Sequence, residues 1–249
     1  MRNIWQYMVV GIAIIVYMLF INSDYKEHFQ EKENIYVFYH VYCNNNTLNI
    51  TKAQLDKIVQ SGLYETATAI YCFLVGEEAF LQPVKAYIEG LPDKFIVKDI
   101  GVNDKSYERF TLTKIAENIG NNDKFLYFHS KGVSQSEPAK LENIRLWRDY
   151  MEYQLINRHM ECIDKLNTHD IVGVAYMDMF IGPHFSGNFW WSTGAYYKKL
   201  VGSHEIGPNY YDPEKYIFAG NPNYFVIDHT VSGNTDLYSV KILPEQYIR

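Results

Sequence analysis

Phe125-Leu126-Tyr127-Phe128-His129-Ser130-Lys131-Gly132 is the stretch on which the fold of this chain turns. Its first four residues are continuously apolar or aromatic, with Asn121-Asn122-Asp123 ahead of them and Gly132 closing the run. So apolar a run between turn residues predicts a strand buried on both faces, as in a parallel α/β sheet. Ligands of such sheets bind just beyond the carboxyl ends of the strands, where loops carry polar groups without disturbing the core. His129, Ser130 and Lys131 fall at that end, and a histidine beside a lysine can meet an anion. The plainer reading is a strand end reaching solvent, with Lys131 snorkelling.

Working outward, Ile35–Cys43 is rich in β-branched and aromatic residues and predicts a first strand. Residues 51–61 have helical spacing, with Leu55, Ile58 and Val59 on one face and Gly62 at the stop. Residues 69–75 predict a second strand, residues 77–91 an amphipathic helix carrying Pro83, and residues 95–100 a third strand. Residues 107–119 predict a helix ending at Gly120, which makes residues 125–129 the fourth strand. Beyond it, residues 141–166 predict one long helix, with Trp147, Met151, Leu155 and Ile163 at core spacing, and residues 171–175 a fifth strand. Strands alternating with helices imply βαβ units and a mostly parallel sheet flanked by helices. After residue 176, Gly, Pro, Asn and aromatics dominate, the composition of binding loops rather than of a second domain.

The chain has 249 residues, enough for one large domain, and a net charge of −6 argues against a nucleic-acid partner. Its 22 Tyr suit flat polar ligands, although an AT-rich coding sequence would also enrich Tyr, Asn, Ile and Lys. Cys43, Cys72 and Cys162 read as buried thiols, and no Cys/His cluster suggests zinc. From Ile4 to Ile21 only Gln6 interrupts an apolar run close to the ~20 residues that cross a bilayer. The rival is a cleaved signal peptide, but Phe20-Ile21-Asn22-Ser23 offers no small-x-small cleavage site. The expected organisation is therefore a transmembrane signal-anchor over residues 1–23, a polar stem over 24–34 and one α/β domain over 35–249. Arg2 and the amino terminus on one flank, against Asp24, Glu27, Glu31 and Glu33 alongside Lys26 and Lys32 on the other, give a small bias to a cytoplasmic N-terminus and a lumenal or exported domain. Asn45-Asn46-Thr47 and Asn49-Ile50-Thr51 are glycosylation sequons, consistent with that placement and common by chance.

A second signal is His184-Phe185-Ser186-Gly187-Asn188-Phe189-Trp190-Trp191. Two indoles beside Ser186 and Asn188 suit a sugar, whose ring has an apolar C–H face and hydroxyl edges. Alternation along a strand sends Trp190 and Trp191 to opposite faces, so at least one belongs to the core. The expectation is a pocket-lining segment, with the choice between the two indoles open.

Taken in order, the 107–119 helix, Phe-Leu-Tyr-Phe-His-Ser-Lys-Gly, the helix with Trp147-Arg148, and His-Phe-Ser-Gly-Asn-Phe-Trp-Trp resemble glycosyltransferase-like proteins of bacterial polysaccharide clusters and large DNA viruses. The likeness covers most of residues 35–220. It implies the nucleotide-diphospho-sugar transferase fold, GT-A, and hexosyl or deoxyhexosyl transfer from a nucleotide-sugar donor to a glycan acceptor in polysaccharide biosynthesis. In that family the fourth strand usually ends in Asp-x-Asp, which holds a divalent metal on the donor diphosphate; here His129-Ser130-Lys131 stands at that place. A lysine cannot ligate Mg²⁺ or Mn²⁺ but can neutralise a diphosphate, so the expectation is transfer without a metal cofactor. The alternative is Mn²⁺ or Mg²⁺ held by His129 and a carboxylate elsewhere. Tyr39, His40, His129, Ser130 and Lys131 are the candidate nucleotide-sugar contacts, and Ser186, Asn188, Trp190 and Trp191 the candidate acceptor contacts. Lys131 is the candidate for leaving-group stabilisation. Asp178, set among apolar neighbours, and Glu214 in Asp212-Pro213-Glu214 are the candidate catalytic carboxylates, each with a surface or turn role as its rival. A non-catalytic glycan-binding protein on the same fold is the alternative function.

Overall fold

The computed structural model describes Tyr17 and residues 33–248 other than 180, 232 and 234. Apart from Tyr17, the anchor falls outside the described residues, as do all but the last two residues of the stem; among the described residues no helix is long and apolar enough to cross a membrane. The unit Asn34–Arg249 is built on a seven-stranded sheet. In chain order its first half runs β1 (Ile35–Cys43), α1 (Thr47–Gln60), α2 (Leu63–Thr66), β2 (Ala69–Gly76), α3 (Glu78–Glu89), β3 (Phe95–Val102), α4 (Arg109–Leu112) and β4 (Lys124–His129). Then come α5 (Pro138–Glu152), α6 (His159–Lys165), β5 (Ile171–Gly173), a two-stranded hairpin of β6 (Tyr176–Met177) and β7 (His184–Phe185), β8 (Trp190–Thr193), α7 (Gly194–Ser203), α8 (Asp212–Tyr216) and β9 (Tyr224–Val226).

The sheet order is β3-β2-β1-β4-β8-β5-β9. β1 pairs in parallel with both β2 and β4, and β8 alone runs against its neighbours β4 and β5. The architecture is thus mixed α/β with a mostly parallel sheet between helical layers. From β1 the chain builds outward to β2 and β3, then returns to lay β4 on the other side of β1. That reversal is a topological switch point, where diverging connections leave a crevice at the carboxyl ends of the strands. His40 and His129 are register partners there.

Alternation along the strands splits the core in two. One layer joins Val37, Tyr39, Leu126, Phe128 and Trp191 to apolar residues of α1, α3 and α5. The other joins Phe38, Phe125, Tyr127 and Trp190 to Leu112 and the tyrosines of α7.

Two predicted helices are broken, each for a visible reason. The 141–166 helix is interrupted by a π-turn at Tyr153–Asn157, where Trp191 Nε1 donates to the Leu155 carbonyl at 2.8 Å. An indole pressing on a helix competes for a carbonyl that an uninterrupted α-helix would use itself. The 107–119 helix is only α4 followed by a 3₁₀ turn at Ile115–Asn118. Thr113 Oγ1 there donates back to the Arg109 carbonyl, the local competition that bends helices. Cys43, Cys72 and Cys162 are free and buried, and burial pushes the Cys43 thiol up to about 12.

Candidate functional site

A cleft of 360 Å³ opens at the switch point, large enough for a small polar ligand. Its lining includes His40 from β1, the turn from His129 to Gln135, Tyr107 and Glu108 before α4, Gly187 and Asn188 before β8, and Tyr210, Tyr211, Pro213 and Glu214 around the start of α8. Because β8 runs antiparallel to β4, the residues just before β8 meet the residues just after β4 at the same sheet edge. Segments some sixty residues apart in sequence therefore share one wall.

Behind the His129–Lys131 turn lies a buried polar support. Gln54 Nε2 donates to the His129 carbonyl at 3.3 Å and to Glu152 Oε1 at 2.7 Å. Arg148 Nη1 donates to the Lys131 carbonyl at 3.0 Å, and Ser130 Oγ accepts from the Tyr42 amide at 3.0 Å. Glu152, only 2% exposed, is paired with Lys57 Nζ at 2.6 Å and lies 3.6 Å from Arg148 Nε. The buried carboxylate is thus surrounded by donors, the condition for keeping a charge inside. This scaffold fixes the turn and leaves its side chains to the cleft.

Those side chains have distinct states. His129 Nε2 donates to the Gly187 carbonyl at 2.9 Å, an acceptor-only partner that sets the tautomer. Burial, with the Lys131 charge adding to it, lowers the His129 imidazole to about 3, so it is neutral at pH 7. Burial likewise lowers His40, which meets Thr111 Oγ1 at 2.8 Å, to about 4. The Lys131 ammonium sits 3.8 Å from the Trp147 ring centre, a cation–π contact. Burial pulls its pKa down, and the Glu214 and Glu108 carboxylates oppose that pull.

The two carboxylates are held differently. Glu108 Oε2 accepts from the Tyr127 hydroxyl at 2.7 Å and from Asn188 Nδ2 at 2.6 Å. Glu214 Oε1 accepts from the Gly187 amide at 2.7 Å, and among the described residues its other oxygen accepts no hydrogen bond. Gly187 itself has φ +94°, and a Cβ there would lie 2.5 Å from Met151 Sδ. Only glycine brings that amide to Glu214 in this backbone. Asn188, also left-handed at φ +55°, links Glu108 to the sheet, since its Oδ1 accepts from Trp190 Nε1 at 2.7 Å.

Of the residues singled out from sequence, His40, His129, Ser130, Lys131, Asn188 and Glu214 are brought together in this cleft. Others lie elsewhere. Trp190 and Trp191 are both in the core, 1% and 0% exposed, on opposite faces of the sheet. Neither indole lines the cleft, because the segment is a central strand rather than a loop. Ser186 is buried outside the lining. Tyr39 is wholly buried and donates to Gln54 Oε1 at 2.6 Å, since it faces the sheet layer opposite His40. Asp178 is exposed beyond β6 and away from the cleft, not in the apolar setting that its neighbours suggested. Glu108, Tyr107, Tyr210, Tyr211 and Tyr238 line the cleft without having been singled out. Nothing local in the sequence distinguishes Glu108 from any other acidic residue near a helix start. Tyr210-Tyr211 in a loop before Asp212-Pro213 did carry a signal, an aromatic pair with no apolar period to bury it.

A divalent cation needs several oxygen or imidazole ligands converging on one point. Among the described residues no group of three His, Cys, Asp or Glu does so. His129 Nε2 and Glu108 Oε2 already have protein partners, His129 Nε2 lies 3.9 Å from Glu108 Oε1, and the turn after β4 carries the Lys131 ammonium.

The profile of a family described as "Domain of unknown function (DUF8361)" matches residues 38–215. No curated protein matches the sequence. Among solved structures, the chain is similar to 4-diphosphocytidyl-2C-methyl-D-erythritol synthase from Anaerococcus prevotii, at 10% identity and TM-score 0.45, over 86% of this chain and 94% of that one. A second structure of an enzyme with that name gives 10% identity and TM-score 0.41, over 82% and 93%. The glycosyltransferase GlyE of Streptococcus pneumoniae gives 12% identity and TM-score 0.36, over 80% of this chain and 46% of that one.

Proposed function

The chain belongs to the DUF8361 family, and we propose that it is a glycosyltransferase of GT-A type that moves a sugar from a nucleotide-sugar donor to a glycan acceptor. One observation carries this reading: the switch-point cleft holds a half-buried ammonium, Lys131, together with a carboxylate, Glu214, that keeps an oxygen without a protein partner. In the proposed reaction an acceptor hydroxyl attacks the anomeric carbon, and the bond from that carbon to the diphosphate oxygen breaks. Glu214 takes the hydroxyl proton. The nucleoside diphosphate leaves with both electrons of the broken bond, and Lys131 offsets its developing charge. Glu108, bound to Tyr127 and Asn188, positions the wall, and neutral His129 fixes the Gly187 turn that presents an amide to Glu214. No step requires a metal.

The test is turnover of nucleotide sugars with and without EDTA. Activity is expected to persist in EDTA, and Lys131→Ala to lower it about 10²–10³-fold with the fold intact, the effect of removing one group that stabilises developing charge. Lys131→Arg is expected to recover part of it, because a planar guanidinium does not reproduce a compact ammonium. Activity abolished by EDTA and restored by Mn²⁺ would overturn the metal-free mechanism. The second reading is a non-catalytic glycan-binding protein, favoured by the Lys131 ammonium resting on Trp147; glycan binding with no turnover of any donor would select it.

The apolar run from Ile4 to Ile21 supports tethering of this domain to a membrane, N-terminus cytoplasmic and domain lumenal or exported. The full chain is then expected to stay with membranes through carbonate extraction. Recovery of a protein processed near residue 22 would defeat that placement.

A further inference from the structure

Tyr107, Tyr210 and Tyr211 stand exposed on the rim of the cleft, at 55%, 69% and 52% of their full accessibility. They touch edge-to-face, Tyr107 to Tyr210 with ring centres 5.8 Å apart and Tyr210 to Tyr211 at 5.0 Å. Each contact covers a face of one ring in the pair, and with more than half of every side chain exposed the remaining ring surface is open to solvent. The rim is also fixed: Arg109 Nε donates to the Gly207 carbonyl at 2.8 Å and Nη2 to the Asn209 carbonyl, tying the 207–211 loop to α4. Tyr107 itself is left-handed, at φ +55°, a costly conformation for a bulky residue. Three large aromatics are thus held out of the core, one of them against its own backbone preference.

Their surroundings select the ligand. Glu108 follows Tyr107 in sequence and Glu214 stands one turn beyond Tyr211, so both cleft carboxylates accompany the aromatic rim. Carboxylates accept hydrogen bonds from sugar hydroxyls and repel phosphates and uronates. Aromatic faces pack on the C–H faces of pyranose rings. The ammonium that suits an anion is instead on the β4 turn, at Lys131. We propose that Tyr107, Tyr210 and Tyr211, with Glu108 and Glu214, form a subsite for an uncharged saccharide, so that the acceptor is a neutral glycan whose terminal sugar stacks on this rim. The proposal rests on the transferase reading for the word acceptor, and on the rim alone for the saccharide.

The experiment titrates the full chain, kept in solution with a detergent lacking sugar headgroups, against neutral trisaccharides of glucose, mannose and N-acetylglucosamine. A glucuronate-containing trisaccharide and UDP, GDP, CDP and dTDP are titrated in parallel. Saturable binding of a neutral trisaccharide is expected, weaker for the glucuronate analogue. Tyr210→Ala should lower neutral affinity about tenfold, the equivalent of one lost stacking contact, while Tyr210→Phe keeps it. Nucleotide affinity should respond to Lys131→Ala and not to Tyr210→Ala. If Tyr210→Ala instead weakens nucleotide binding and spares the saccharide, the rim serves the donor base and the proposal falls. If nucleotides bind through Lys131 but no trisaccharide saturates, the subsite falls and the donor reading stands. If a trisaccharide binds through Tyr210 and no nucleotide binds, the subsite stands and the transferase reading falls.

Discussion

β4 and β8 are neighbours in one sheet, paired antiparallel from Lys124–Thr193 to Tyr127–Trp190, and both are dense in aromatic residues. They reach the same edge from opposite directions. β4 ends there, so its polar tail His129-Ser130-Lys131 lines the cleft; β8 begins there, so Gly187 and Asn188 line it while Trp190 and Trp191 run away into the core. Strand direction, and not aromatic content, decides which part of each motif lines the cleft. The same comparison explains the unequal roles of the two indoles. Trp190 Nε1 orients Asn188 and through it Glu108, whereas Trp191 Nε1 takes the Leu155 carbonyl on the far layer.

Truncating the indoles is the harshest way to break this comparison. Trp190→Ala and Trp191→Ala should each lose roughly 3–5 kcal/mol of stability, the usual cost of emptying a buried aromatic site. For a domain of this size that is a fall of roughly 6–20 °C in melting temperature by calorimetry. Should either variant fail to fold, the Phe variants separate the roles: Trp190→Phe loses the bond to Asn188 and should perturb the cleft, while Trp191→Phe should leave ligand binding alone. A Trp→Ala variant with unchanged melting temperature and lost ligand binding would return that indole to a pocket.

How much was legible follows from the same geometry. The strands of the parallel block are written as continuous apolar runs, because a strand buried on both faces admits little else; the predicted range Ile35–Cys43 coincides with β1. The cleft residues at the ends of β1 and β4 were legible with them, as polar groups abruptly ending such runs. β8 was not legible as a central strand. Four residues, Trp190–Thr193, are too short for a periodic signal, and its antiparallel entry between β4 and β5 is set by tertiary packing. Tyr39 was misplaced by a single step of the pleat, since its neighbour His40 faces the cleft and it faces Gln54. Glu108 was invisible because its partners, Tyr127 and Asn188, come from strands far along the chain.

The gentlest probe of the comparison is pH, which loads the cleft end of the sheet and spares its indole core. His40 and His129 have native values of about 4 and about 3, both below the ordinary 6.5, because burial disfavours their charged forms. The groups facing them modify this: Glu108 and Asp104 support a charge on His40 and His129 opposes it, while Lys131 opposes and Glu214 supports a charge on His129. The unfolded chain therefore binds more protons than the folded one below 6.5, and stability must fall as pH drops from 6.5 toward those native values. The slope is at most about 1.4 kcal/mol per pH unit for each group. Urea unfolding between pH 7.5 and 5 should show a plateau above 6.5 and a decline below it. His40→Asn should flatten part of that decline, and Trp191→Phe should shift the whole curve downward without changing its shape. A decline that His40→Asn leaves untouched would mean that protonation of His40 is not linked to unfolding, and that the acid sensitivity of the fold lies outside the β1 end of the cleft.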